Sequence, residues 1–446
     1  MKKVAFHNLG CKVNSYELDG ISQMFQKRGY EIVDFAQKAD IYIVNTCTVT
    51  NIADRKSRQM LSRAKAQNPE AIVVAAGCYV QSDPDKAAND KNIDIAVGNN
   101  HKAELVDIVE EYIKNRNSII GRTVSDLSKG CGYEELPVSQ TSGNTRAYMK
   151  IQDGCDQFCS YCAIPFARGR TRSRKLEDIA KEASALAQNG YREIVITGIH
   201  ISSYGLEGTY NSFVKDGEVN TALLEAVTTI AKTPGIERVR LSSLEPRLIT
   251  EEFVNALKGI PQVCPHFHLS LQSGCDSVLK RMNRHYTTAE YAKKVALIRS
   301  IFDHPAITTD IITGFPGETE EEFETTRTFL QKIDLYECHV FKYSRRKGTV
   351  ADRMEGQLTD AVKSARSAIL IAESEQRKRD FMSYYTGKTV KVLTEDTQEI
   401  GGQLRTVGFT PEYVKVSMPV TDSGRISEIL CYSLKFDTIE GDFATH

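Results

Sequence analysis

Short apolar runs alternate with helix-period stretches along this chain from residue 4 to residue 343. That alternation admits few folds, because strands separated by helices pair in parallel and need helices on their faces. In the first 120 residues the strand candidates are Val4–Asn8, Ile41–Asn45, Ile72–Ala76 and Ile93–Val97. Helices are expected over Ser15–Lys27 and near Ala53–Ala66. From residue 146 to 345, six more strand candidates recur: Arg146–Gln152, Glu193–Thr197, Arg238–Ser243, His266–Leu271, Ala306–Thr313 and Glu337–Tyr343. Leu176–Gln188, Leu223–Lys232, Ala289–Ile301 and Glu320–Lys332 are helical by period, and the polar stretch Leu206–Asn220 is a loop. Six βα units suit a partial barrel of the triosephosphate-isomerase type, with no room for eight.

Two breaks divide the pattern. Residues 121–145 carry Gly121, Gly130, Gly132, Gly143 and Pro137, a linker composition. After a long charged helix over Thr359–Tyr385, short strands at Thr389–Leu393, Gly402–Gly408, Tyr413–Met418 and Tyr432–Phe436 predict a small β-barrel. The expected division is therefore 1–120, a linker at 121–145, 146–382 and 383–446. The fold class is α/β: a parallel α/β sheet domain, a central partial (β/α)6 barrel and a small all-β barrel.

Composition excludes several function classes. Of 446 residues, 41% are apolar and 26% charged, so the chain can bury cores and is not disordered. A net charge of −1 excludes holding a polyanion by global charge, so any nucleic-acid site must be a local patch. No apolar run approaches the ~18 residues of a membrane span. Leu9-Gly10-Cys11 superficially resembles a lipoprotein cleavage site, but the stretch before it is short and polar. The eleven cysteines are odd in number and unevenly spaced, unlike a secreted disulfide framework. They read as thiols of a cytoplasmic protein, reserved for metal or redox chemistry.

One cysteine group is local: Cys155, Cys159 and Cys162, within eight residues after the strand ending near Gln152. The spacing would also make a stripe on a helix, and zinc is a second alternative. Gly154 and Pro165 bracket the segment, which favours a loop, and no fourth ligand stands at local zinc-finger spacing. Three thiolates in a loop suit an iron–sulfur cluster with one iron open. The other group is dispersed. Cys11, Cys47 and Cys78 each come just after the C-terminal end of a predicted strand, the edge at which parallel sheets bind ligands. Each alone reads as inert core, but equivalent placement lets the three converge.

The Cys-x3-Cys-x2-Cys spacing after the first strand of a βα barrel resembles the radical S-adenosylmethionine superfamily. Together with Gly10-Cys11-Lys12-Val13-Asn14-Ser15, Asn45-Thr46-Cys47-Thr48-Val49 and Ala76-Gly77-Cys78, it is similar to the methylthiotransferase family over essentially the whole chain. The resemblance implies two [4Fe–4S] clusters, one on Cys155, Cys159 and Cys162 and an auxiliary one on Cys11, Cys47 and Cys78. It implies S-adenosylmethionine as radical source and methyl donor, with an electron donor and a sulfur source that the sequence does not identify. The terminal domain resembles the TRAM module. Leu241-Ser242-Ser243-Leu244-Glu245-Pro246 and Arg281-Met282-Asn283-Arg284-His285-Tyr286 are most similar to the branch acting on threonylcarbamoyladenosine, 3′ of the anticodon in tRNA. Other branches act on isopentenyladenosine in tRNA or on a ribosomal-protein aspartate. A non-enzymatic iron–sulfur electron carrier is the reading from a different class.

Further residues enter as expected contacts of the cofactor. Thr197 and Gly198 end the second barrel strand. Gln272 comes after the fourth, and Asp310 and Gly314 lie at the fifth. Arg284 is a candidate carboxylate clamp and Tyr161 a wall for an adenine. Two basic groups are expected to meet RNA phosphate: Arg168, Arg170, Arg172, Arg174 and Lys175, and then Lys342, Arg345, Arg346 and Lys347. The terminal module is acidic, with six Lys/Arg against nine Asp/Glu from Ser383 to His446. Either one face of it (Lys388, Lys391, Arg405, Lys415) touches RNA or it serves another role.

Overall fold

The computed structural model describes residues 2–115, 121–127, 130–141, 145–209, 212–213, 218–435 and 437–444. Gly143 of the expected linker and parts of the expected loop Leu206–Asn220 lie outside the described residues. The first part is a six-stranded, all-parallel sheet: β1 (Lys3–Asn8), β2 (Glu31–Val33), β3 (Ile41–Thr46), β4 (Ile72–Gly77), β5 (Ile95–Val97) and β6 (Gly121–Thr123), in the order β2-β1-β3-β4-β5-β6. Alternate residues of one strand serve opposite faces. Ile41, Ile43, Ile72 and Val74 pack with Ile21, Phe25, Leu105 and Val109 of two helices, whereas Tyr42, Val44, Val73 and Ala75 pack with Leu61 and Ala64 of the helix Asn51–Gln67. Covered on both sides, β3 and β4 are buried throughout, as their continuous apolar runs require. The expected linker contributes an element: β6, at residues 121–123, pairs with β5. Glycine composition masks a strand too short to show a period.

The second part is the partial barrel. Its strands are β7 (Ala147–Asp153), β8 (Arg172–Ser173), β9 (Glu193–Gly198), β10 (Arg238–Leu241), β11 (His266–His268), β12 (Ala306–Thr313) and β13 (Glu337–Lys342). They form the sheets β10-β9-β7-β8 and β11-β12-β13, joined by parallel bridges Val239–Val263 and Leu244–Leu269. Six of the seven run parallel, as expected; β8 is a two-residue antiparallel strand on β7. Two helices that the sequence pattern does not reveal, Glu251–Lys258 and Asp276–Arg281, complete the outer layer. The barrel has an open side, and the N-terminal helix Lys12–Lys27 packs on β7 and β9 beside it.

After the helix Asp360–Ser383, strands β14 (Thr389–Ile400), β15 (Gln403–Phe409), β16 (Lys415–Met418), β17 (Ile426–Lys435) and β18 (Thr438–Phe443) close a barrel in the order β14-β15-β16-β18-β17. The sequence pattern shows four of these strands and misses β18. This module sits under the N-terminal ends of the partial barrel's strands. Arg238 donates to the carbonyls of Phe409 and Lys391, and Arg240 to those of Pro411 and Thr410. Arg146 pairs with Glu395 and lies over the rings of Phe409 and Tyr413. Arg405, expected on an RNA-facing surface, instead donates to the carbonyls of Ser417 and Gly441 in its own barrel. Among the described residues no helix is long and apolar enough to cross a membrane.

Candidate active site

Strands β1, β3 and β4 are neighbours, so the segments leaving their C-terminal ends meet at one sheet edge. Cys11 caps the helix Lys12–Lys27, Cys47 comes directly after β3, and Cys78 opens the short helix Cys78–Ser82. Gly77 turns the chain with φ +98°, and a side chain there would run into Asn45 Oδ1. Two asparagines bind the thiols. The Cys11 thiol donates to Asn14 Oδ1 at 3.6 Å, while Asn14 Nδ2 donates to the carbonyls of Leu9 and Thr46. Asn99 Nδ2 stands 3.5 Å from Cys78 Sγ and also donates to the Ala167 carbonyl. Burial pushes the Cys47 thiol up to about 11, and Cys78 and Cys11 both push in the same direction. The three dispersed cysteines therefore sit within electrostatic reach of one another.

The second trio lies in a loop directly after β7, not on a helix. Gly154, at φ +71°, takes the chain past the Arg170 carbonyl, where any Cβ would clash. Cys155 N–H donates to the Gly169 carbonyl, and the middle of the loop is fixed by Ser160 donating to the carbonyls of Met282 and Arg281. Arg284 Nη1 donates to Cys159 Sγ at 3.1 Å while its Nε donates to Tyr286. Burial raises the Cys155 thiol, and Cys159 and Cys162 raise it further; Cys162 is pushed up to about 12 by burial and by Cys159. Among the described residues no three His, Cys, Asp or Glu side chains converge tightly enough for a single metal ion. A four-iron cluster bonds each thiolate to a different iron and so holds the thiolates farther apart than one ion does. The chemistry of each trio, three thiols on short loop or turn segments, suits such a donor set.

A cavity of about 300 Å³ lies between them. Tyr161 and Cys162 wall it on one side, Gln272 and Asp310 line the barrel side, and Val49 and Thr50, just past Cys47, close it from the N-terminal sheet. Three of the expected cofactor contacts, Tyr161, Gln272 and Asp310, thus share one space. Thr197 and Gly198 end β9 outside the lining, with Gly198 packed on the Gln152 carbonyl. Arg284 reaches Cys159 rather than the cavity wall. Gly314 forms a turn against Lys363 and gives its N–H to Glu318, so its glycine is explained by packing.

Two family models match the chain: the radical SAM superfamily over residues 149–330, and uncharacterized protein family UPF0004 over residues 3–98. The threonylcarbamoyladenosine tRNA methylthiotransferase MtaB of Bacillus subtilis is 40% identical, across 99% of this chain and 96% of that one. The chain belongs to the radical S-adenosylmethionine methylthiotransferases. The MtaB protein of Aquifex aeolicus is 39% identical over 88% of this chain and 92% of its own. The tRNA-2-methylthio-N(6)-dimethylallyladenosine synthase of Thermoanaerobacter sp. (strain X514) is 34% identical over 91% and 86%. The radical S-adenosylmethionine methyltransferase TsrM of Kitasatospora setae, solved with cobalamin and a [4Fe-4S] cluster, shares the fold, with a TM-score of 0.56 at 16% identity over 78% of this chain and 74% of that one. A radical S-adenosylmethionine methylthiotransferase holds a [4Fe–4S] cluster and S-adenosylmethionine, and the loop thiols of Cys155, Cys159 and Cys162 are a donor set of that kind.

In this methylthiotransferase the first basic group is largely not an RNA surface. Arg168 is fully buried and binds Glu17, Asp153 and Asn14. Arg172 is buried beside Asp153, and Arg174 is buried between Glu135 and Glu182. Desolvation forbids such cations from standing unpaired, so each is matched by acids brought from distant sequence. Only Arg170 and Lys175 of this run are exposed. Arg168 belongs to a network across the seam between sheet and barrel: Lys102, Lys150, Arg168 and Arg172 face Glu17 and Asp153. Arg168 also faces Cys78. In the second group, Arg346 clamps Thr48 and Asp54 of the sheet domain, Arg345 pairs with Asp352, and Lys342 and Lys347 are exposed.

Proposed function

We propose that this chain places a methylthio group on N6-threonylcarbamoyladenosine in tRNA, with a second [4Fe–4S] cluster held by Cys11, Cys47 and Cys78 delivering the sulfur. The observation that carries the reading is the shared cavity: Val49 and Thr50, just past Cys47, and Tyr161 and Cys162 of the loop line the same 300 Å³. When bound, the cluster of the loop and S-adenosylmethionine supply a carbon-centred radical. The chain's own residues do the positioning. Arg284 donates to Cys159, Asn14 and Asn99 orient Cys11 and Cys78, and the seam network locks the two halves at fixed distance. Tyr161 and Ile312 offer apolar walls that keep water from a reactive intermediate.

The substrate choice rests on the relatives named for threonylcarbamoyladenosine, which match at 34–40% identity. Mass spectrometry of tRNA nucleosides from cells with and without the gene tests it. Loss of the methylthiolated threonylcarbamoyladenosine alone is the expected result. Loss of the dimethylallyl counterpart instead assigns the chain to the other tRNA branch.

A further inference from the structure

Large apolar side chains on a water-facing surface are ordinarily scattered singly. Here five stand exposed on the segments that build the site: Val49 and Ile52 beyond Cys47, Phe158 and Phe166 on the cysteine loop and the turn of helix after it, and Phe341 near the end of β13. Val49 and Phe341 line the cavity itself. The rings of Phe158 and Phe166 meet edge to face at 6.3 Å. Phe158 is held at φ +47°, a conformation that a bulky side chain rarely takes, with Asn283 Nδ2 donating to its carbonyl at 3.1 Å. That conformation leaves the ring 37% exposed, so its strain is not offset by burial of the aromatic. The Arg170 guanidinium sits 4.7 Å from the Phe158 ring centre, tethered to Asp156. At the cavity, Phe341 is followed by Lys342, and Lys347 lies exposed beyond it.

We propose that Phe158, Phe166 and Phe341 are stacking platforms for unpaired bases of a single-stranded RNA loop, whose phosphates meet Arg170, Lys342 and Lys347. The inference rests on the tRNA reading above and extends it to the bases beside the target. Exposed rings bordered by cations are the surface that single-stranded RNA recognition requires, since every base has a π-face and every linkage a charge. A duplex, with its bases already stacked, gains nothing from such rings. Charge complementarity selects RNA over an apolar protein partner.

Binding of an anticodon stem–loop RNA and of a fully paired duplex of equal length to the full chain, measured by fluorescence anisotropy, tests the proposal. Phe166 is the residue to change first, because it is 59% exposed and is no cysteine's neighbour. Phe166→Ala is expected to weaken stem–loop binding roughly 5- to 150-fold and duplex binding little, with Phe166→Tyr restoring it. Its salt dependence should stay unchanged, whereas Lys347→Ala should lower the slope by about one. Phe341→Ala supplies a second variant, at the cavity itself. Unchanged stem–loop affinity in both, as a protein-docking patch would give, overturns the platforms. So does an equal loss for both RNAs. If the unmodified chain itself does not prefer stem–loop to duplex, the tRNA reading falls with them.

Discussion

Glu322 shows how much one carboxylate can hold. As the third residue of the helix Glu320–Ile333 it takes the Thr319 N–H at 3.1 Å, and Arg281 grips it with two nitrogens at 2.8 and 2.6 Å. Arg281's hydrogen bond, above all, holds its pKa down to about 2 from 4.5. The unfolded chain therefore takes up the proton first as pH falls. The stabilisation is complete above pH 4.5 and is lost on the way to about 2. Glu322→Gln is expected to lower the unfolding free energy by about 1–2 kcal/mol at pH 7, after allowance for water screening, and by clearly less at pH 3. Urea unfolding at the two pH values checks it; the same deficit at both would contradict the sign. Single residues are also where the sequence is least legible. The Arg168–Lys175 run reads as a solvated patch because the partners of its arginines, Glu17, Glu135, Asp153 and Glu182, are mostly far away in sequence. Nothing local distinguishes a paired buried arginine from a free one. Asn14 and Asn99 carry no signal for the same reason, whereas all six cysteines are visible because each trio is placed just after strands.

At the scale of elements, the helix Lys12–Lys27 couples the site's two halves. It begins at Cys11, carries Asn14 and Glu17 on one side, and packs on β7, the strand that leads to Cys155. Glu17 receives Lys102, Lys150 and Arg168 while 1% exposed, and their charges drive its pKa far down despite burial. Removing one member of such a network leaves buried charge uncompensated. Glu17→Gln should cost about 3–5 kcal/mol of stability, read as a fall in the urea midpoint. A shift within the range of a surface substitution would show that the seam is not a fixed joint. Long periodic elements are legible: Leu176–Gln188 and Ala306–Thr313 have the expected bounds. Short ones are not. β2, β6 and the helix Asp276–Arg281 span three to six residues and are set by their neighbours rather than by their own pattern.

The whole molecule puts its parts to separate uses. The sheet domain and the open side of the barrel enclose the cavity between the cysteine trios, and the acidic terminal barrel closes the far end through Arg146, Arg238 and Arg240. That contact gives one of the module's acids, Glu395, a partner. At that face its Glu395 and its backbone carbonyls meet arginines of the partial barrel rather than RNA. The near-neutral total charge hides this division: cations are buried at the seam and at the contact with the terminal barrel, which is itself acidic. Everything proposed for the chemistry depends on each cysteine trio being a separate cluster site on one cavity. The decisive experiment is iron counting after anaerobic reconstitution, on the unaltered chain and on the Cys11/Cys47/Cys78→Ala and Cys155/Cys159/Cys162→Ala triple variants. About eight irons per chain are expected, falling to about four in either variant. About four irons in the unaltered chain, or complete loss from a folded triple variant, would contradict two independent sites.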